Sequence, residues 1–80
     1  MKIKDRVSLE EIQKQLIKLK ERLKTVKAVK SEGKEFLENI KAYVNDTEYF
    51  IKKGEYVLAF ESIVWAWAWF EIGERLGFLE

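Results

Sequence analysis

Apolar side chains recur along the chain at helical spacing, in three blocks. In the first block Leu9, Ile12, Leu16, Leu19, Leu23 and Val26 follow one another in alternating steps of three and four. A period of 3.5 residues makes a narrow seam that suits a left-handed crossing of roughly 20° with a neighbouring helix. Ser8 precedes the run and Glu11 follows three residues later, the spacing of a capping box, with Val7 and Ile12 at the staple positions. The spacing predicts a helix over 9–30. In the second block Phe36, Ile40, Tyr43, Thr47 and Phe50 line one stripe, thickened by Leu37, Val44 and Ile51. Glu38, Lys41, Asn45, Glu48 and Lys52 lie opposite, so this is an amphipathic helix over 33–53. Ser31 is its expected cap, and Gly54 ends it because glycine accepts the left-handed conformation after a helix.

The third block, predicted as a helix over 55–77, is apolar nearly all round. One arc centred on Ala66 holds Leu58, Ala59, Ser62, Ile63, Trp69, Phe70, Gly73 and Leu76. The far side holds Glu61, Glu71 and Arg75, but also Val57, Phe60, Val64, Trp67 and Ala68. A helix apolar on both sides is either buried on both or meets a second partner. Trp65, Trp67 and Trp69 alternate with Ala66 and Ala68, which taken alone is a strand signal. The run is short, helical spacing continues on both sides of it, and a lone strand has nothing to pair with. As a helix it places Trp65 and Trp69 on one face and Trp67 on another.

Gly33 and Gly54 are the expected breaks, and no repeat, linker or low-complexity segment intervenes. The expected architecture is therefore a single domain over residues 1–80, an all-α, three-helix, up-down-up bundle with a long first helix.

Composition narrows the chemistry. The 80 residues include no cysteine, no histidine and no proline. No disulfide framework, thiolate nucleophile, triad base or imidazole metal ligand is available. Absent proline fits uninterrupted helices. The net charge of +1 hides a split, because residues 1–30 carry ten basic and four acidic side chains and residues 31–80 five basic and ten acidic. Such asymmetry fits helices that attract one another inside a bundle better than a nucleic-acid domain, which is usually basic overall. Twelve lysines and twelve glutamates against two glutamines and two asparagines lean toward a thermophilic source. The longest apolar run, Ile63 to Phe70, has eight residues, whereas a membrane span needs about 20. No apolar leader follows Met1, so a cytoplasmic protein is expected.

From Tyr43 to Gly77 the sequence resembles the small archaeal family known as domain of unknown function 357. Tyr43, Asp46, Phe50, Gly54, Glu55, Tyr56, Ala59, Ala66, Trp69, Gly73 and Gly77 fall on its pattern. The chain departs from that pattern in three places. Trp65 stands where the family tends to have tyrosine, Ala68 where it often has glycine, and Glu71 where it usually has aspartate. The likeness covers about half the chain and implies an archaeal helical domain with no established activity. A looser likeness to helical-hairpin repeats stops at the turn before helix 3, because no 34-residue unit recurs.

Each candidate for chemistry has a plain structural alternative. Asp46, at the edge of the second stripe beside Asn39, Ala42 and Lys53, is a carboxylate facing helix 3 or a hydrogen-bond partner for an indole or for the start of that helix. The pairs Glu35/Glu38 and Glu71/Glu74 echo the magnesium-binding spacing of helical nucleotide pyrophosphohydrolases, but both point away from the core stripes. A solvated charged face accounts for them. The lysines of helix 1 (Lys14, Lys18, Lys20, Lys24, Lys27) are spread around it and mixed with Glu10 and Glu21, so a solubilising surface accounts for them better than phosphate contacts. Ser62 has no histidine to activate it. The expectation is thus a non-enzymatic interaction module with no catalytic, metal or cofactor residue. Val57, Phe60, Val64, Trp67 and Ala68 are its interface candidates, and Tyr43, Asp46, Glu55 and Glu71 are polar family positions without an assigned role. The expected partner is a second copy, a dimer being favoured, or another protein. Nucleic acid held by the basic first helix stays open as the alternative, a Mg²⁺-dependent nucleotide phosphohydrolase comes last, and no membrane is involved.

Overall fold

In the computed structural model residues 8–80 are described, and Val7 of the expected staple lies outside them. Half of the capping box at the start forms: Ser8 is the N-cap and its Oγ accepts from the Glu11 amide at 3.3 Å, while the Glu11 carboxylate accepts from Gln15 Nε2 at 3.0 Å instead of closing the box. From there α1 runs Leu9–Thr25, followed by α2 at Lys30–Lys52 and α3 at Tyr56–Arg75. The alternating tryptophans sit inside α3, so the helical reading of that stretch is correct.

The helix seams close one core. Ile12, Leu16 and Leu19 from α1 meet Ile40, Val44 and Thr47 from α2 and Ala59, Ile63, Ala66 and Phe70 from α3, all buried. The Thr47 hydroxyl donates to the Tyr43 carbonyl at 2.8 Å, which satisfies it locally in an apolar setting. The α2–α3 pair is the tightest contact, and α1 packs against both helices, more against α3. Phe36 meets Trp69 near one end of the pair and Tyr43 meets Trp65 nearer the middle, so α2 and α3 are antiparallel. Gln15 reaches Trp67 and Arg22 reaches Glu74, so α1 and α3 run the same way. This is the up-down-up bundle.

Both glycine-terminated helices end in the same way. After α2, Glu55 N–H donates to the Phe50 carbonyl at 2.9 Å and Gly54 N–H to Ile51 at 3.0 Å, with Gly54 at φ 75°. After α3, Phe78 N–H donates to Gly73 at 2.9 Å and Gly77 N–H to Glu74 at 3.2 Å, with Gly77 at φ 79°. These are Schellman motifs, which need a left-handed residue that glycine supplies without steric penalty.

The first connection departs from expectation. Helix α1 stops at Thr25 and not near Lys30, so at 17 residues it is the shortest of the three, not the long one. The cause lies at the other end of the sequence. The segment after α1 is extended, and the residues after α3 fold back to pair with it: Lys27 N–H donates to the Glu80 carbonyl at 2.7 Å, Glu80 N–H to Lys27 at 2.9 Å and Val29 N–H to Phe78 at 2.7 Å. Ala28 and Leu79 form an isolated antiparallel bridge. With its backbone groups satisfied there, the chain has no need to continue the helix. Ser31 is correspondingly not the cap of α2; that position is Val29, without a side-chain bond. Lys30 then takes φ 66°, a left-handed value that is uncommon for a residue with a side chain.

Gly33, expected to cut the chain, lies inside α2 and is buried. It is there for closeness and not for a turn. A Cβ at this position would collide with the Phe78 carbonyl oxygen and lie 3.1 Å from Ala28 Cα, both of them backbone atoms. Gly33→Ala is expected to lower stability by about 1–3 kcal/mol through overpacking, although alanine in a helix normally gains about 1 kcal/mol over glycine. Thermal unfolding checks the sign. A raised midpoint would mean that the C-terminal segment does not lie against α2.

Candidate interaction surface

The face of α3 away from the core carries exposed apolar side chains. The five interface candidates divide into two groups. Val57, Phe60 and Val64 are exposed, while Trp67 and Ala68 are half-buried. Helix α1 makes the difference. The Trp67 indole N–H donates to the Gln15 carbonyl at 3.4 Å, and its ring meets Phe70 edge-on at 5.8 Å. Trp67 therefore fastens α3 to α1 and, of the five candidates, is not on a free face. Between the two helices runs a groove of about 690 Å³, lined by Glu11, Gln15 and Lys18 of α1 and by Phe60, Val64, Trp67 and Glu71 among others of α3.

Two surfaces that sequence reasoning placed differently are open. Leu58 and Leu76 are exposed and do not belong to the buried arc, because the core reached by α2 and α1 is narrower than the arc drawn around Ala66. Ile72, not assigned at all from the sequence, is 47% exposed. Its signal was present: it lies four residues beyond Ala68, on the side opposite the buried stripe. Trp65 is 56% exposed although its ring stacks on Tyr43 at 6.5 Å. Trp69, on the same side, is half-buried with its ring 4.8 Å from Phe36.

The polar family positions do not come together. Tyr43 is half-buried under Trp65, while Asp46, Glu55 and Glu71 are all exposed. Asp46 bonds neither an indole nor the start of α3, contrary to its structural expectation; Trp67 takes Gln15 as acceptor. Glu55 occupies the N-cap position of α3 but its carboxylate makes no capping bond. Glu71 lines the groove, and Glu74, three residues on, is held by Arg22 at 2.6 Å. Among the described residues no group of three His, Cys, Asp or Glu side chains could hold a metal ion. On α1, Lys20 pairs with Glu48 of α2, and Arg22, besides bonding Glu74, lies 4.7 Å over the Phe70 ring. These exposed ion pairs contribute up to about 1 kcal/mol each. Among the described residues no helix is long and apolar enough to cross a membrane.

The class defined here is an all-α domain in which a helical hairpin is flanked by a shorter first helix and one helix keeps exposed apolar side chains on its outer face. The chain belongs to the family described as protein of unknown function DUF357, whose sequence profile matches residues 14–79. Its fold is that of a crystal structure of a DUF357 protein from Archaeoglobus fulgidus, with a TM-score of 0.81 and 44% identity over 89% of this chain and 88% of that one. No curated protein matches it.

Proposed function

We propose that the protein is a non-enzymatic helical interaction module that self-associates through α3. One observation carries this reading: Val57, Val64, Trp65 and Ile72 are all exposed on a single helix whose other side already fills the core. Large apolar side chains left exposed together on one helix face of a small domain mark a contact site more often than idle surface. The carboxylates offer nothing comparable, because the chain has no histidine or cysteine and the exposed glutamates join no metal-holding cluster among the described residues. A nucleic-acid role for α1 is less favoured, because Lys20 and Arg22 are engaged with Glu48 and Glu74 of the same chain.

Sedimentation equilibrium at tens of micromolar tests the proposal. A mass of twice 9.5 kDa is expected for the wild type, and loss of that mass in Val64→Glu. Val64 is the better probe than Trp67, because replacing Trp67 would also loosen α1. A monomeric wild type overturns the reading.

A further inference from the structure

We propose that α3 pairs with α3 of a second copy, antiparallel, about a two-fold axis at Ala68. This rests on the self-association reading and specifies its geometry. At roughly 100° per residue, the buried residues Ala59, Ser62, Ala66, Phe70 and Gly73 occupy one side of α3. The opposite side is centred on Ala68 and holds Glu61, Val64, Ile72 and Arg75. These five positions are spaced three, four, four and three residues apart.

The order is palindromic in position and complementary in character: acid, apolar, small, apolar, base. A two-fold pairing of antiparallel helices sets each residue before the centre against the one equally far beyond it. With Ala68 at the centre, Val64 shares a layer with the second copy's Ile72, and Glu61 lies level with its Arg75. Both contacts occur twice. Alanine at the crossing lets the two backbones approach to the distance of packed helices, roughly 8 Å. The pairs also come from groups left free by the fold. Val64 is 48% exposed, and the two ion pairs among the described residues use neither Glu61 nor Arg75. Charge selects this register over its neighbour. Centring the helices one turn earlier, on Val64, would set Glu61 against Trp67 and Val57 against Glu71, with no opposite charges paired. Like-charge or unpaired contacts of that kind are what discriminates between registers.

The test is a charge-swap series by sedimentation, with far-UV circular dichroism confirming wild-type helix content in each variant. Glu61→Arg and Arg75→Glu are each expected to weaken self-association tenfold or more. Mixed one to one, these two variants are expected to form a heterodimer, since each then meets the opposite charge. The double variant is expected to dimerise as the wild type does. Because the chain has no cysteine, Ala68→Cys provides a second readout: mild oxidation is expected to yield a covalent dimer, and Lys34→Cys to yield none. A wild-type dimer that is indifferent to both single swaps, and that Ala68→Cys does not cross-link, overturns the Ala68 pairing and leaves self-association standing. A monomeric wild type overturns both.

Discussion

Replacing Phe70 by alanine is expected to lower stability by about 3–5 kcal/mol. Phe70 is 1% exposed and is the largest fully buried side chain. It is also where α1 is held onto the hairpin, since the Arg22 guanidinium lies 4.7 Å over its ring and Trp67 meets it edge-on. Truncation removes the transfer free energy of the ring, leaves a cavity and takes away the surface on which Arg22 rests. A domain of this length holds roughly 4–12 kcal/mol in total, so much of its margin would go. Denaturant unfolding, followed by circular dichroism, gives the loss directly. A loss below about 1.5 kcal/mol, the range of a well-tolerated core swap, would show that α1 closes over the gap and that the site is not the anchor described.

The second large effect is expected from the C-terminal segment. Leu79 is 2% exposed although it lies beyond the last helix. It fills the space over Gly73, where a Cβ would come within 2.6 Å of Leu79 Cδ1 and 3.0 Å of Phe36 Cδ2. Leu79→Ala is expected to cost about 2–5 kcal/mol. Because Leu79 and Gly73 share one volume, the two sites should couple. Gly73→Ala is expected to destabilise the wild type, yet to be neutral or stabilising where Leu79 is already alanine, since the added methyl then occupies emptied space. A double-mutant cycle by thermal unfolding measures this, with about 4–8 °C per kcal/mol for a domain of this size. Strict additivity would show that the two residues do not touch.

The helices themselves were readable because their causes are local. The Ser8 cap, the three-four seam through Ile12, Leu16 and Leu19, and the stripe through Ile40, Val44 and Thr47 all appear where spacing places them. The Gly54 stop works as expected, because a left-handed residue is a property of one position. The errors cluster where a remote segment decides. Nothing near Thr25 forbids the helix from continuing to Lys30; it stops because Phe78–Glu80 supplies the backbone partners. Gly33 looked like a break and is a point of close approach, since only the folded chain brings the Phe78 carbonyl to it. On α3 the periodicity showed two apolar sides, but which outer residues α1 takes depends on how three helices cross. Trp67 went to α1, while Ile72, unassigned from periodicity, stayed outside.

The sequence by itself therefore determined three helices, the buried stripes of the first two, the glycine stop after the second and the absence of imidazole and thiol chemistry. Each of these depends on residue type and spacing over a turn or two. Only the tertiary structure decided where α1 ends, why Gly33 and Gly73 must lack a side chain, and which part of α3 is left over. The physical reason is that backbone satisfaction and burial are settled between segments some fifty residues apart, as between Lys27 and Glu80, and no local pattern records which remote group will arrive.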